Sequence, residues 1–231
     1  MSEPTKLKHI GIIMDGNRRW AHSQGKKPQD GHLEGYKRLH DLGRYIFLEK
    51  KIPYLSVFAF STENWQRAED EVGFLMKLVV KALNDYLDEA HNDNIKILAL
   101  GGRDKLSKEV LQAIETAEAK TAGNTAGTLA ICFNYGGQQE IVDATKKLLA
   151  SGANPDSLTI DSFADCLYHP ELPPLDMIVR TSGEQRLSGF MLWRSAYAEL
   201  LFVDKHWPEV TTADIDFAVE EYSKRQRRYG K

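Results

Sequence analysis

Short apolar runs alternate along this chain with longer stretches in which hydrophobic positions recur every three or four residues. Ile10–Met14, Tyr54–Phe60 (YLSVFAF), Ile95–Leu100 (IKILAL), Leu129–Phe133 (LAICF) and Met177–Val179 are short, apolar and bounded by polar or turn-forming residues, which predicts buried strands. Between them, Val72, Leu75, Met76, Val79, Leu83, Tyr86 and Leu87 fall at helical spacing. Ser107–Ala122 and Gln138–Leu149 also read as helices, and Ile215, Ala218, Val219 and Tyr222 predict a last amphipathic one. Strands alternating with helices predict an α/β fold with a mostly parallel sheet covered on both faces. Segments 149–158 and 169–174 read as loops by their Gly, Pro and Asn content, and the first is too short for a domain linker. One domain over residues 1–231 is expected, without internal repeats.

Composition narrows the classes of partner. The chain has 231 residues, 42% hydrophobic and 27% charged, as in ordinary soluble domains. A formal net charge of −3 argues against broad electrostatic binding of nucleic acid, so any positive charge serving an anionic ligand must be local. The two cysteines, Cys132 and Cys166, lack metal-ligand spacing, and Cys132 lies in an apolar run that marks it as core. A reducing cytoplasm is the simpler setting for them. Met1–Lys8 is polar with no signal-like apolar segment after it, and no stretch approaches the roughly 18 apolar residues of a membrane span. Membrane contact is expected to be peripheral at most.

Polar clusters follow several strands directly, where open α/β sheets bind ligands. Asp15-Gly16-Asn17-Arg18-Arg19 follows the first strand. On spacing alone Asp15 is either a turn aspartate or a magnesium ligand; such a hard cation often takes one or two carboxylates plus substrate phosphates. Asn17, Arg18 and Arg19 could then donate to phosphate oxygens. No P-loop or dinucleotide-binding glycine pattern is present to explain the cluster. Phe60–Arg67 (FSTENWQR) is either a helix cap with a solvated face or a second polar wall, and Asn134-Tyr135-Gly136-Gly137 reads as a tight strand-to-helix turn. Arg180, Arg186 and Arg194 form the strongest local positive charge, and arginine forks match phosphate geometry. Arg194 fits a solvated surface; Arg180, capping a strand, does not. Glu199, inside Ala196–Phe202, is either an exposed helix-end acid or one that is paired or metal-bound. His32 is either a helix-start residue or a phosphate donor.

The motifs MDGNRRWA, GH at Gly31-His32, FSTENWQR, FNYGG, RTSGEQRLS and AYAELLF occur in order from His9 to Gly230. On them the chain resembles the cis-prenyltransferases, the isoprenyl diphosphate synthases that include undecaprenyl diphosphate synthase. The resemblance implies a single domain with a central, mostly parallel sheet of about six strands and an apolar tunnel for a growing chain. It implies a homodimer, and magnesium-dependent addition of isopentenyl diphosphate to an allylic diphosphate with formation of cis double bonds. By the same resemblance Asp15 matches the magnesium aspartate and Glu199 a second acid at the metal. Gly16, Asn17, Arg18, Arg19, Trp20 and His32 match the allylic diphosphate pocket, with Ser61, Thr62 and Glu63 along it. Asn64 matches the residue often named as proton acceptor, and Trp65 and Arg67 match substrate contacts. Arg180, Arg186, Leu187 and Ser188 match the isopentenyl diphosphate site, and Arg228-Tyr229-Gly230 an R-x-G motif that reaches the partner's active site.

This chain departs from the common pattern at three places. Arg18 stands where many members have glycine, Pro28 where many have a phosphate-binding arginine, and Gly189 where asparagine is common in long-chain enzymes. Gly189 suits a short-chain or branched product; Ala59, the small residue usual in longer-chain enzymes, and Gly127, read as leaving the tunnel floor open, suit a longer one. Non-catalytic partner subunits of heterodimeric enzymes tend to lack the metal aspartate, whereas this chain keeps Asp15 and the R-x-G motif.

Overall fold

The computed structural model describes residues 6–225. Its strands are β1 (His9–Ile13), β2 (Tyr54–Ser61), β3 (Ile95–Leu100), β4 (Gly127–Tyr135), β5 (Met177–Arg180) and β6 (Glu199–Phe202). They form one parallel sheet in the order β3-β4-β2-β1-β5-β6. The first five agree with the apolar runs to within two residues at each end. Of the helices, α3 (Glu69–Asn92), α4 (Lys108–Thr121), α5 (Gly137–Ala150) and α7 (Thr212–Lys224) coincide with the periodic stretches, and α6 (Ile160–Ala164) is a single short turn. Ser107 caps α4 by accepting the Val110 N–H.

Besides the short α6, three elements were not anticipated from the sequence pattern. The helices α1 (Asn17–Ser23) and α2 (Pro28–Arg44) bury few large apolar side chains: α1 buries Ala21, and three of the four buried residues of α2 are Gly31, Gly35 and Gly43. Close backbone approach helps to seat both helices, and in α2 Leu39 and Leu42 add apolar contact with the core. The third, β6, is an edge strand with Leu200 exposed and the rest partly buried, and the acid Glu199 at its start interrupts an otherwise apolar run.

Strand pairing decides which side chains share a face. Val57 is level with Ile131, and Ile131 with Ala99, so all three point to one side of the sheet. That side carries two packed clusters. One joins Ile10, Ile12, Leu55 and Val179 to Leu42, Ile46, Trp207 and Ile215. The other joins Ile97, Ala99 and Phe133 to Val72, Leu83, Leu87 and Ile114. The opposite face packs Ile13, Leu100, Cys132 and Ile178 against Phe190 and Met191, with Cys132 fully buried as expected. Between the two clusters of the first face, α2 and α3 leave an apolar cleft above Ile131.

Candidate active site

The connections from β1 lead toward one edge of the sheet, while β5 and β6 lie on its other side. Reversal of strand order at β1 and β5 opens a crevice beyond their carboxyl ends. Asp15 and Arg180 meet there, with Arg180 Nη2 donating to Asp15 Oδ2 at 2.9 Å. Asp15 Oδ1 accepts the Gly16 N–H at 2.8 Å, and Arg19 stands 3.4 Å away. Burial works to raise the Asp15 pKa. The hydrogen bonds from Arg180 and Gly16 and the charges of Arg180 and Arg19 outweigh it, and the carboxyl sits below its ordinary range. Gly16 holds φ at 98°, and a Cβ there would fall within 2.7 Å of Ser182 Oγ and His206 Nδ1. Only glycine allows this turn.

Arg180 is buried and reaches three ways. Besides Asp15, it donates to the Arg186 carbonyl and, at 2.9 Å, to Ser188 Oγ. Its Nε has no partner among the described residues. Arg19 bonds the Ser182 carbonyl and Glu184, and Glu184 also pairs with exposed Arg186. The first and the fifth strand thus deliver their clusters to one place. Leu187 packs against the cluster of the opposite face.

Met14, Asp15, Gly16, Asn17, Arg18, Arg19, His22, Pro28, His32 and Arg67 line one open polar pocket. The sequence reading missed an acid here: Glu71, buried in the first turn of α3, lies 2.9 Å from Arg67, 3.4 Å from Arg18 and 3.3 Å from His32. The four-residue spacing of Arg67 and Glu71 across the start of α3 was its available signal. Burial lowers the His32 pKa, helped by Arg67 and Arg18 and opposed by Glu71. Trp20 lies outside this lining, with Lys26 Nζ 4.8 Å from its ring centre.

After β2, a 3₁₀ turn spans Thr62–Gln66. Asn64 Oδ1 accepts the Ser61 N–H at 3.1 Å, so the capping role is real. Thr62 bonds Glu63, and Trp65 stacks edge-on against Phe60 while donating from Nε1 to Asn134 Oδ1 at 2.8 Å. Asn134, at φ 49°, ties that contact to the carbonyls of Gly102 and Asp104. The Asn-Tyr-Gly-Gly turn therefore also braces the Trp65 ring.

The polar pocket continues into the apolar cleft: Met14, Asn17 and His32 line both. Leu39, Leu75, Leu78, Val79, Leu83, Ile131 and Phe133 wall the cleft, which runs on to Phe47 and Leu87. Its two sections have cavity volumes of about 120 Å³ each, a narrow apolar passage. A β-bulge inserts Ala59 between Phe58 and Phe60, which face Cys132 and Phe133 of β4, and turns Ala59 toward the cleft. The expectation for Gly127 is corrected: a Cβ there would fall 2.5 Å from the Phe47 ring. Gly127 does not open the far end of the cleft; it seats Phe47 in it.

Two other sequence readings change. Arg194 is 4% exposed rather than a surface residue and pairs at 2.9 Å with buried Glu140. Glu199 begins β6, level with Met177 and, through β5, with Ile10, five residues back from Asp15 along the strand direction. It pairs with Arg225 at 2.8 Å. The two acids therefore stand at opposite ends of the sheet in one chain, and a metal ion shared by both is not assembled there. No cluster of three His, Cys, Asp or Glu suited to a metal occurs among the described residues. Arg228 and Gly230 lie outside the described residues. No described helix is long and apolar enough to cross a membrane.

Comparison with known proteins places this geometry. Residues 13–230 match the prenyltransferase family model described for undecaprenyl diphosphate synthase. Isoprenyl transferase 2 of Corynebacterium glutamicum is 44% identical over 96% of this chain and 93% of its own. The isoprenyl transferase of Thermotoga maritima is 44% identical over 96% of each. The crystal structure of lavandulyl diphosphate synthase from Lavandula x intermedia, in complex with dimethylallyl diphosphate, superposes with a TM-score of 0.91. It shares 31% identity and is covered over 98% of this chain and 99% of that one.

Proposed function

The chain belongs to the undecaprenyl diphosphate synthase family of prenyltransferases and is a prenyl-transferring enzyme, and we propose that it condenses isopentenyl diphosphate with an allylic prenyl diphosphate, with magnesium, to build a cis-polyprenyl diphosphate. The carrying observation is the continuity of an arginine-lined pocket around Asp15 with a long apolar cleft. Such a site suits a molecule with a charged head and a hydrocarbon tail.

In this reading Arg18, Arg19, His32 and Arg67, with Asn17 and the Gly16 backbone, hold the allylic diphosphate, and its tail enters the cleft. The same reading carries over Trp20, Ser61, Thr62, Glu63 and Trp65 as neighbouring substrate contacts from the resemblance, though none of them lines the pocket itself. The lone ionised Asp15 fits a magnesium ion, because such an ion takes few protein carboxylates and completes its shell from substrate phosphates and water. When bound, the ion would neutralise charge on the departing diphosphate. The arginines stabilise the same charge, which grows as the carbon–oxygen bond breaks, and such stabilisation is strongest in a dry site. The apolar walls keep water from the allylic cation. Arg180, Arg186, Ser188 and the Leu187 backbone hold isopentenyl diphosphate; the Arg180 Nε, without a partner among the described residues, is one donor to it. Its alkene attacks the cation, and a proton then leaves. Asn64 Oδ1 already accepts a backbone N–H, and an amide oxygen is a weak base, so we assign the proton to a diphosphate oxygen and to Asn64 the shaping of the Ser61 turn.

We further propose a cytoplasmic homodimer, meeting membranes only peripherally. The exposed Tyr197, Leu200 and Phe217 near the open β6 edge support a second copy there, and Glu199, remote from Asp15, would serve only in that assembly. A short or branched product is the second reading, favoured by the likeness to lavandulyl diphosphate synthase. Radiolabelled isopentenyl diphosphate offered with each allylic starter, with and without chelator, tests the function. Chromatography of the products separates the two readings, and no incorporation with any starter would overturn both.

Two results are expected from single substitutions. Ala59→Leu should shorten the product at nearly unchanged melting temperature, because the new side chain enters the cleft rather than a packed core. An unchanged product with a lowered melting temperature would show that Ala59 does not bound the growing chain. Arg186→Ala should raise KM for isopentenyl diphosphate by roughly 10- to 100-fold with kcat little altered, since it removes a charged donor to a group that passes through the reaction unchanged. A response confined to the allylic KM would refute that assignment.

A further inference from the structure

Arg194 takes no part in the chemistry above, yet it is among the most heavily bonded side chains in the molecule. Its Nη1 pairs with Glu140 Oε1 at 2.9 Å, Nη2 donates to the carbonyls of Tyr168 (2.7 Å) and His169 (3.0 Å), and Nε to that of Leu172 (3.5 Å). Glu140, 1% exposed, also accepts the Tyr168 N–H at 3.1 Å and the Tyr135 hydroxyl. A buried pair of this kind is weak evidence for stability, because desolvation offsets its attraction. Its place in the fold says more.

The segment between Arg180 and Arg194 carries Arg186 and Ser188, and its backbone is strained. Positive φ occurs at Ser182 (76°), Gly183 (72°), Ser188 (50°), Gly189 (79°) and Met191 (43°), three of them not glycine. Conformations of this sort persist only where the surroundings over-determine them. On one side Arg180 holds the segment through the Arg186 carbonyl and Ser188 Oγ. On the other, the first turn of α5 grips it twice: Gly137 N–H donates to the Gly189 carbonyl at 2.9 Å, and Glu140 pairs with Arg194.

We propose that the Arg194–Glu140 pair is a positioning clamp that pins the strained 181–191 segment to α5 and so presents Arg186 and Ser188 to the diphosphate of isopentenyl diphosphate. The clamp rests on the function proposed above for the ligand, but not for its mechanical effect. Arg194→Lys keeps the charge and loses the fork. It should raise the Kd for inorganic diphosphate and KM for isopentenyl diphosphate by about tenfold or more, with the allylic KM and kcat changed by no more than about threefold. Amide exchange of residues 182–191 should quicken while that of β1 and β4 stays the same. Should the lysine variant not fold, Glu140→Leu with Arg194→Met is measured instead, since an apolar pair often replaces a buried ion pair without loss of stability. A folded variant with unchanged exchange, or with quickened exchange and unchanged diphosphate affinity and KM, would overturn the clamp. A wild-type chain that does not condense isopentenyl diphosphate overturns the functional reading instead, and the exchange result still decides whether the clamp exists.

Discussion

Replacing Asp15 with asparagine is expected to lower turnover by about 10³-fold or more, roughly 4 kcal/mol of transition-state stabilisation, while the protein melts close to wild type. Asparagine keeps an oxygen for the Arg180 bond of 2.9 Å and removes the charge that a magnesium ion needs. Alanine at this position is a poorer test, because it would strip buried Arg180 of its carboxylate and confound a lost metal with a strained fold. Steady-state rates with saturating substrates, thermal melts and a chelator titration check the claim together. A folded variant of normal activity, or full wild-type activity in excess chelator, would remove Asp15 from the reaction.

Arg180→Met should be nearly as damaging, but for two reasons at once. The side chain touches Asp15, the Arg186 carbonyl and Ser188 Oγ, so its loss should raise KM for isopentenyl diphosphate and also reduce kcat. A fall in kcat/KM of roughly 10²- to 10³-fold is expected, about 3–4 kcal/mol. Elsewhere in the site Arg186, which is exposed and among the described residues pairs with Glu184, should affect KM alone. A pH signature separates the roles of Arg180. Asp15 has a depressed pKa in the folded protein, so its ionised form, and the stability that this ionisation contributes, are present above the ordinary carboxylate range and lost as pH falls through the depressed value. Removing Arg180 takes away the largest of the effects that depress it. The acid limb of the kcat/KM profile should therefore move to higher pH in Arg180→Met, and the same shift should appear in melting temperature. An acid limb that stays put would mean that Asp15 is held ionised by Gly16 and Arg19 without Arg180.

The alternation of apolar runs and periodic stretches was enough for five strands and four helices because these elements bury apolar side chains at their own period. The motif clusters were legible because each directly follows a strand, and a parallel sheet gathers the carboxyl ends of its strands at one edge. Asp15, Arg67 and Arg180 could be selected as site candidates from the chain alone on that basis, whereas His32, inside α2, could not. Three features were decided by long-range packing. Helix α2 was overlooked although Tyr36, Leu39 and Leu42 recur at helical spacing, because glycines occupy most of its buried positions and break up the apolar signal. Arg194 looked like a surface charge, since its burial depends on Glu140, 54 residues away in sequence. The resemblance put Glu199 beside Asp15 at a metal, and strand register sets the two acids at opposite ends of the sheet in one chain. Periodicity reports only what one element buries; which charge meets which, and whether apolar helix faces close into core or part around a cleft, depends on contacts between segments remote in sequence, which local pattern does not encode.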